Sequence, residues 1–308
     1  MSNKKIKVIT GKGIEIICPE IMEQVKKKKL SASLIPSIKN CPADWFFGTF
    51  ILPNIEHTEP IYFSRGKLYH SVMEKFFAIE PEKRDAKLLK QICIDTIEKE
   101  YPRFITDSES KQWLADGIKN FYEMRFNYKN LKIATITNEG EEQTGLENFV
   151  SGNIGKASRP FVGFVDMVLE GENGLRVVDW KTGKKVYPYD PEKPISDKNS
   201  FDYWRQGTIY AMLMEQQGNN VDTAELWFPI AKDVVTIDCN NKAVRKQVIQ
   251  DAEEADALLT KCIEDNLFPF HNALFCGFCS AYNAKYRGKR WPLEVNRKQL
   301  ENMIEFID

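Results

Sequence analysis

The chain of 308 residues predicts an α/β fold, and three features of its sequence carry that expectation. Apolar residues recur at helical spacing over 65–77, 85–100, 108–128, 201–215 and 241–266. Shorter runs rich in β-branched and aromatic residues lie between them and read as strands. The clearest are Phe161 to Leu169 and Leu175 to Val178, joined by Glu170-Gly-Glu-Asn-Gly174, whose glycines can take the positive φ of a short hairpin loop. The third feature is acid and base inside this apolar hairpin. Asp166 sits mid-strand, Asp179 follows Val177-Val178, and Lys181 comes two residues later. Strand alternation sends Asp179 and Lys181 to one face and Trp180 to the other. Such groups are costly to bury on an apolar sheet without a purpose.

Composition excludes little. The formal net charge is −1, so there is no global basic signature of a nucleic-acid binder, which leaves room for positive charge along one groove. No run approaches a membrane span, and Met1-Ser-Asn-Lys-Lys-Ile-Lys7 lacks the apolar segment of a signal peptide. Seven cysteines without such a signal point to reduced thiols in a cytoplasm, or to a metal site, rather than to disulfides.

Taken in order, Ile14 to Cys18 reads as a short strand, followed by a basic helix ending in Lys26-Lys-Lys-Lys29. The lysine run reads as a solvated charged face, with a phosphate-tracking patch as the alternative. Ser31 or Ser33 can N-cap a helix that must end near Asn40-Cys41-Pro42, and an aromatic helix around Trp45-Phe46-Phe47 follows. Arg65 to Phe77 is amphipathic, with Leu68, Val72 and Phe76 on its stripe and His70 beside it. Pro102 separates the next two helices, whose end carries Tyr122, Arg125, Phe126 and Tyr128, read as core packing or as a grip on a single strand. From Leu131 the period turns strand-like over Lys132 to Thr137, followed by Glu139, Glu141, Glu142 and Glu147. After the hairpin, Tyr187 to Asn199 reads as a loop. The helix from Phe201 to Glu215 then places Gln206 and Tyr210 on one face. Ala224 to Ile230 and Val234 to Asp238 read as an antiparallel pair, and Asn241 to Asn266 as a helix.

The purpose that fits the acids is metal-assisted phosphodiester hydrolysis. Mg²⁺ or Mn²⁺ chooses carboxylate oxygens, so Asp166 and Asp179 could hold one or two ions that activate water and stabilise the leaving oxygen. Lys181 would orient that water or offset charge growing on the phosphorus. The sequence Gly163-Phe-Val-Asp166, Asp179-Trp-Lys181 and Thr182-Gly183 resembles the motif of the PD-(D/E)XK nucleases in their RecB-like, CRISPR-associated-exonuclease-like branch. The serine-led helix running into Cys41-Pro42 and aromatics resembles that branch's entry segment. Gly66 and His70 match its G-x-x-x-H, and Gln206 and Tyr210 match its Q-x-x-x-Y. The resemblance covers about residues 31–280.

That resemblance implies a restriction-endonuclease-like mixed central sheet flanked by helices, with an N-terminal helical portion. It implies Asp166, Asp179, Lys181, Gln206 and Tyr210 as catalytic residues, with His70, Asp166 and Asp179 as metal ligands. It also implies a further Glu before Asp166, and spacing leaves Glu139, Glu141, Glu142 and Glu147 all open. Many relatives clamp a [4Fe–4S] cluster with four cysteines. Here only Cys41, Cys276 and Cys279 match and no Cys lies in Ser280 to Asp308, so an intact cluster is not expected. Instead, Phe268, Phe270, Leu274, Phe275 and Phe278 are expected to pack on Trp45, Phe46 and Phe47.

The domain organisation expected is an extension at 1–30, a nuclease domain at 31–280 and a tail at 281–308. Within the domain, 31–130 would be helical, 131–240 would hold the sheet and the Gln206 helix, and 241–280 a C-terminal helix and the cysteine pair. The function implied is a divalent-metal-dependent DNase, best read as an exonuclease on single-stranded DNA or DNA ends in recombination or repair. It would be a cytoplasmic enzyme, phage- or mobile-element-encoded and acting in a bacterial host, with a recombination protein as possible partner. Two alternatives stay open: a non-cleaving DNA binder, and a protein-interaction subunit of a repair complex.

Overall fold

The structure, a computed structural model, describes residues 4–57, 60–124, 130–183, 198–271, 289–290 and 293–307. The N-terminal third runs β1 (Ile6–Ile9), β2 (Gly13–Ile16), α1 (Pro19–Lys26), α2 (Leu34–Asn40), α3 (Pro42–Phe46), α4 (Ile61–Phe77), α5 (Ala86–Glu100) and α6 (Ser108–Glu123). The middle runs β3 (Thr135–Asn138), β4 (Glu141–Thr144), β5 (Leu146–Gly152), β6 (Phe161–Glu170), β7 (Leu175–Trp180), α7 (Lys198–Gln216), β8 (Val221–Phe228) and β9 (Asp233–Asp238). There follow α8 (Lys242–Glu264), β10 (Phe268–Pro269), β11 (Lys289–Arg290), β12 (Leu293–Glu294), α9 (Arg297–Met303) and β13 (Ile304–Ile307). Contacts divide the chain into two compact units, one of Met1–Pro60, Gly155–Phe161 and Gln250–Asp308, the other of Ile61–Ile154 and Val162–Ile249. Among the described residues no helix is long and apolar enough to cross a membrane.

The second unit holds the expected mixed sheet, in the order β5-β6-β7-β8-β9. The β6–β7 hairpin pairs Met167 with Val178 and Glu170 with Leu175, while β7 runs parallel to β8 and β8 antiparallel to β9. Gly171 makes the hairpin loop possible, because a Cβ there would stand 2.5 Å from the Gly174 carbonyl oxygen. One sheet face carries Met167, Leu169, Val178, Trp180 and Trp227, which form a single buried cluster with residues of α4, α5 and α6. Trp180 is ringed there by Tyr69, Phe77, Phe121 and Trp227, with centroids 5.0–6.0 Å away. Helix α4 earns its place by burying Leu68, Tyr69, Val72, Met73, Phe76 and Phe77 at helical spacing. Asp85 and Asp107 cap α5 and α6 by accepting from Leu88 N and Ser110 N at 2.7 and 2.9 Å. Buried Arg84 closes the end of α4. Its guanidinium donates to the carbonyls of Phe77, Ile79 and Leu131 at 2.7–3.0 Å and lies over the Phe77 ring. Helix α7 packs on β8 and β9 so closely that a Cβ on Gly207 would meet Ala224 Cβ at 2.7 Å.

The first unit is built on a sheet ordered β10-β2-β1-β13, with β1 antiparallel to β2 and parallel to β13. Asn266, at φ 48°, hydrogen-bonds both the N–H and the carbonyl of Ile16 at 3.1 and 3.0 Å. Trp45 and Phe46 stack on Phe268 with centroids 6.3 and 4.7 Å apart, in line with the expected aromatic packing. Cys41 is buried, and its sulfur accepts from Asp44 N at the start of α3.

Several expected elements need correction. Ser33 stands at the α2 N-cap but in helical backbone, with its hydroxyl on Ser31 rather than on a helix N–H. The strand expected over Lys132 to Thr137 begins at Thr135, with Ile133 making a single bridge to Leu169. Strands β1, β4, β5 and β13 were not anticipated, and α7 starts at Lys198, inside the expected loop. The rest of that loop, and Arg125, Phe126, Tyr128, Leu274, Phe275, Cys276, Phe278 and Cys279, lie outside the described residues. The Lys26 end of the lysine run pairs with Glu23 at 2.8 Å on an exposed face.

Candidate active site

Register brings the acids of the hairpin together. Met167 faces Val178, so Asp166 and Asp179 are the next positions along the two antiparallel strands. Both are buried, at 8% and 6% exposure. Asp166 Oδ2 accepts from Trp180 N–H at 2.7 Å. Trp180, turned into the apolar cluster, thereby locks the backbone from which Asp179 and Lys181 project to the other side.

Around Asp179 the hydrogen bonds form a closed set. Lys181 Nζ lies 2.7 Å from Asp179 Oδ2 and donates to Gln206 Oε1 at 2.7 Å. Gln206 Nε2 donates to Asp179 Oδ1 at 2.7 Å and to the Tyr210 hydroxyl at 2.9 Å. An ammonium can only donate, so the amide oxygen must face Lys181 and the amide nitrogen must face Asp179. Gln206 therefore holds acid and base at a fixed spacing. Tyr210 in turn needs Gly163 opposite it, because a Cβ there would stand 2.5 Å from the tyrosine ring. Burial first, and then the Asp166 charge, raise the Asp179 carboxyl above its ordinary value, with Lys181 opposing them. Burial, with Asp179 behind it, raises the Tyr210 hydroxyl, which stays protonated.

Beside this set lies a second one. His70 Nδ1 is 3.3 Å from Asp166 Oδ1, and His70 Nε2 is 3.0 Å from the Trp180 carbonyl oxygen. A carbonyl only accepts, so Nε2 carries a proton and Nδ1 of the neutral ring presents a lone pair to a carboxylate. Two acceptors at that distance repel unless a proton or a cation lies between them. Burial alone would lower the His70 pKa, but Asp166, Asp179 and Glu147 outweigh it and hold it above its ordinary value. Glu147 completes the group: ligand atoms of His70, Glu147 and Asp166 all lie within 4.8 Å of one another. Burial, then the charges of Asp166 and Glu74, push Glu147 up to about 7. One imidazole nitrogen and two carboxylates converging this closely fit a hard divalent ion.

Of the residues named from sequence, the structure gathers His70 with Asp166, and Asp179 with Lys181, Gln206 and Tyr210. Glu147 is the acid that spacing left open. Glu139 is at φ 53° in the β3–β4 turn, and Glu141 and Glu142 are exposed on that ribbon. Glu147 alone stands on the central sheet, itself at φ 47°, a backbone state that costs a non-glycine residue about 1–3 kcal/mol. Gly66 also finds a reason. A Cβ there would press on Thr182 Oγ1 at 3.3 Å, so α4 lies against the end of the Asp179-Trp-Lys181 strand.

Comparison with known proteins bears on the fold. Residues 29–284 match the family model of the PD-(D/E)XK nuclease superfamily. A solved structure from Eubacterium rectale, a candidate exonuclease, superposes with a TM-score of 0.52 at 12% identity, over 84% of this chain and 89% of that one. The structure named SSO0001 matches at 11% identity over 65% of this chain and 87% of that one, with a TM-score of 0.24. No curated protein matches the sequence.

Proposed function

The chain belongs to the PD-(D/E)XK nuclease superfamily, and from that premise we propose that it is a Mg²⁺- or Mn²⁺-dependent deoxyribonuclease. The observation that carries this reading is the His70–Glu147–Asp166 group standing next to the Asp179–Lys181–Gln206 set. His70, Glu147 and Asp166 would hold the ion, with Asp179 beside it. Bound there, the ion supplies Lewis acidity at the scissile phosphate. Lys181 donates to a phosphate oxygen or to the attacking water, and so favours the transition state over the ground state. Gln206 keeps Lys181 from collapsing further onto Asp179, and Tyr210 holds the Gln206 amide.

The preferred substrate is single-stranded DNA or a DNA end, and the enzyme serves recombination or repair as a phage-encoded protein in a bacterial cytoplasm. Residues 31–280 form its nuclease domain. Incubation with labelled single- and double-stranded DNA, with Mn²⁺ or with EDTA, tests this. Shortening of the strand with Mn²⁺, lost in EDTA and in Asp179→Ala, is the expected result. Binding without cleavage in Mn²⁺ would establish the non-cutting alternative. Neither binding nor cleavage would favour a partner-docking subunit.

A further inference from the structure

Helix α4 carries the imidazole of the metal group and, two turns before it, an exposed pair of rings. Tyr62, Gly66 and His70 stand four residues apart, so one face of the helix presents all three. Tyr62 and Phe63 are 51% and 53% exposed, and their rings lie 4.6 Å apart at 41°. They line a cleft of about 490 Å³ together with Arg65, Gly66, Trp113 and Thr182. Trp113 packs edge-on to Tyr69 with centroids 6.3 Å apart, and Arg65 is held by Ser110 at 2.8 Å and Glu109 at 3.0 Å. A second cleft, of about 430 Å³, is lined by Gly66, His70 and Glu147 among others, so the two meet at Gly66. A side chain there would narrow the junction, where Thr182 Oγ1 stands 3.3 Å from the place of a Cβ.

That continuity identifies the occupant. A strand whose phosphate sits at the metal group must run on from it, and the cleft leading away past Gly66 is walled by rings. From His70 back to Tyr62 is about 12 Å along the helix axis. A strand covers that in about three to four nucleotides at a stacked rise of about 3.4 Å. Aromatic side chains hold a base by its face. A base inside a duplex has its faces covered by its neighbours and its edge by its partner, so a pocket of rings admits it only out of the stack. A protein docked on these rings would instead stand across the way to the cut. We propose that Tyr62, Phe63 and Trp113 form a pocket for one unpaired base of the substrate strand, a few nucleotides from the scissile phosphate, and that this pocket selects single-stranded DNA or frayed ends over intact duplex. This rests on His70, Glu147 and Asp166 being the cleavage site.

The test uses the full chain with Ca²⁺ in place of Mg²⁺ at fixed ionic strength, and reads fluorescence anisotropy with an oligothymidylate and with a blunt hairpin duplex. Trp113 is packed on Tyr69, so the variants fall on the two exposed rings, where Tyr62→Ala with Phe63→Ala should keep the circular dichroism of the wild type. Single-strand affinity should fall by about 5- to 150-fold for one stacked base, while duplex affinity stays level. Exchanging the rings, Tyr62→Phe with Phe63→Tyr, should restore it. Oligonucleotides lacking one base at a time should cost the wild type affinity at a position within about four nucleotides of the bond cut in Mn²⁺. The double alanine variant should be indifferent to that missing base. Equal losses on single strand and duplex, no loss at all, or an undiminished response to the missing base would overturn the pocket. So would a wild-type dimer in sedimentation velocity that the double alanine variant loses, which would give the cleft to a second copy of the chain. Failure of the underlying reading shows separately, as wild-type protein that cuts no DNA in Mn²⁺.

Discussion

Gly163→Ala tests whether Tyr210 is held where the site requires it. The new Cβ would meet Tyr210 Cε1 at 2.5 Å and Cδ1 at 2.9 Å, against 3.4–4 Å for ordinary contact, so about 1 Å must be found. Tyr210 is only 8% exposed, and its hydroxyl is 2.9 Å from Gln206 Nε2, so the ring has little room and moves at the cost of that hydrogen bond. Overpacking of this kind costs about 1–3 kcal/mol. At about 2–4 °C per kcal/mol for a unit of this size, Tm should drop by about 2–12 °C. Tyr210→Ala alone should cost about 3–5 kcal/mol, as truncation of a buried aromatic does. In the double variant the clash has no partner, so the combined loss should fall short of the sum by about 1–3 kcal/mol. Denaturant unfolding of the four proteins, followed by circular dichroism, measures that coupling. Additivity within about 0.5 kcal/mol would refute the reasoning, because the strand and not the ring would then have absorbed the methyl group.

Lys181→Ala should retain DNA and Mn²⁺ binding yet lose cleavage, since its charge matters most in the transition state; near-normal turnover in single-turnover assays would remove it from the chemistry. Glu147→Gln and Asp166→Ala should weaken Mn²⁺ binding by calorimetry, and an unchanged affinity would exclude the residue concerned. The ion-free protein should lose stability as pH rises from about 5 to 8. Glu147, with its pKa raised to about 7, and Asp179, also raised, hold protons that the unfolded chain has already released. His70, raised as well, contributes stability below about 6.5 that is lost as it deprotonates in the folded state. All three slopes have the same sign, so the Tm gain on adding Mn²⁺ should be larger at pH 8 than at pH 5.5; the reverse order in a thermal-shift series would contradict the assignment. Arg84→Met should destabilise by about 3 kcal/mol or more in urea unfolding, because the carbonyls of Phe77, Ile79 and Leu131 lose their donor inside the core.

The sequence by itself determined the hairpin, because alternation and the glycines between the two runs suffice to pair Phe161–Glu170 with Leu175–Trp180 and to separate Trp180 from Asp179 and Lys181. The loop needs Gly171 for its close approach to the Gly174 carbonyl, although neither glycine takes the positive φ that the sequence leads one to expect. It likewise determined the helices whose apolar stripes are written at helical spacing, and the pairing of Gln206 with Tyr210, one turn apart on a single face. Tertiary structure alone decided which glutamate joins His70 and Asp166. Four candidates lie within a few residues of one another, and only the placing of β5 in the central sheet singles out Glu147. It alone decided that β1 pairs with β13, which comes from the far end of the chain, since short strands carry no local mark of so distant a partner. It alone gave His70 its chemistry as well: the carbonyl of Trp180 fixes the protonated nitrogen, and that bond depends on how α4 packs against β7. Local signals specify which faces and turns a segment can have; the meeting of faces from distant segments is settled only when the core closes around them.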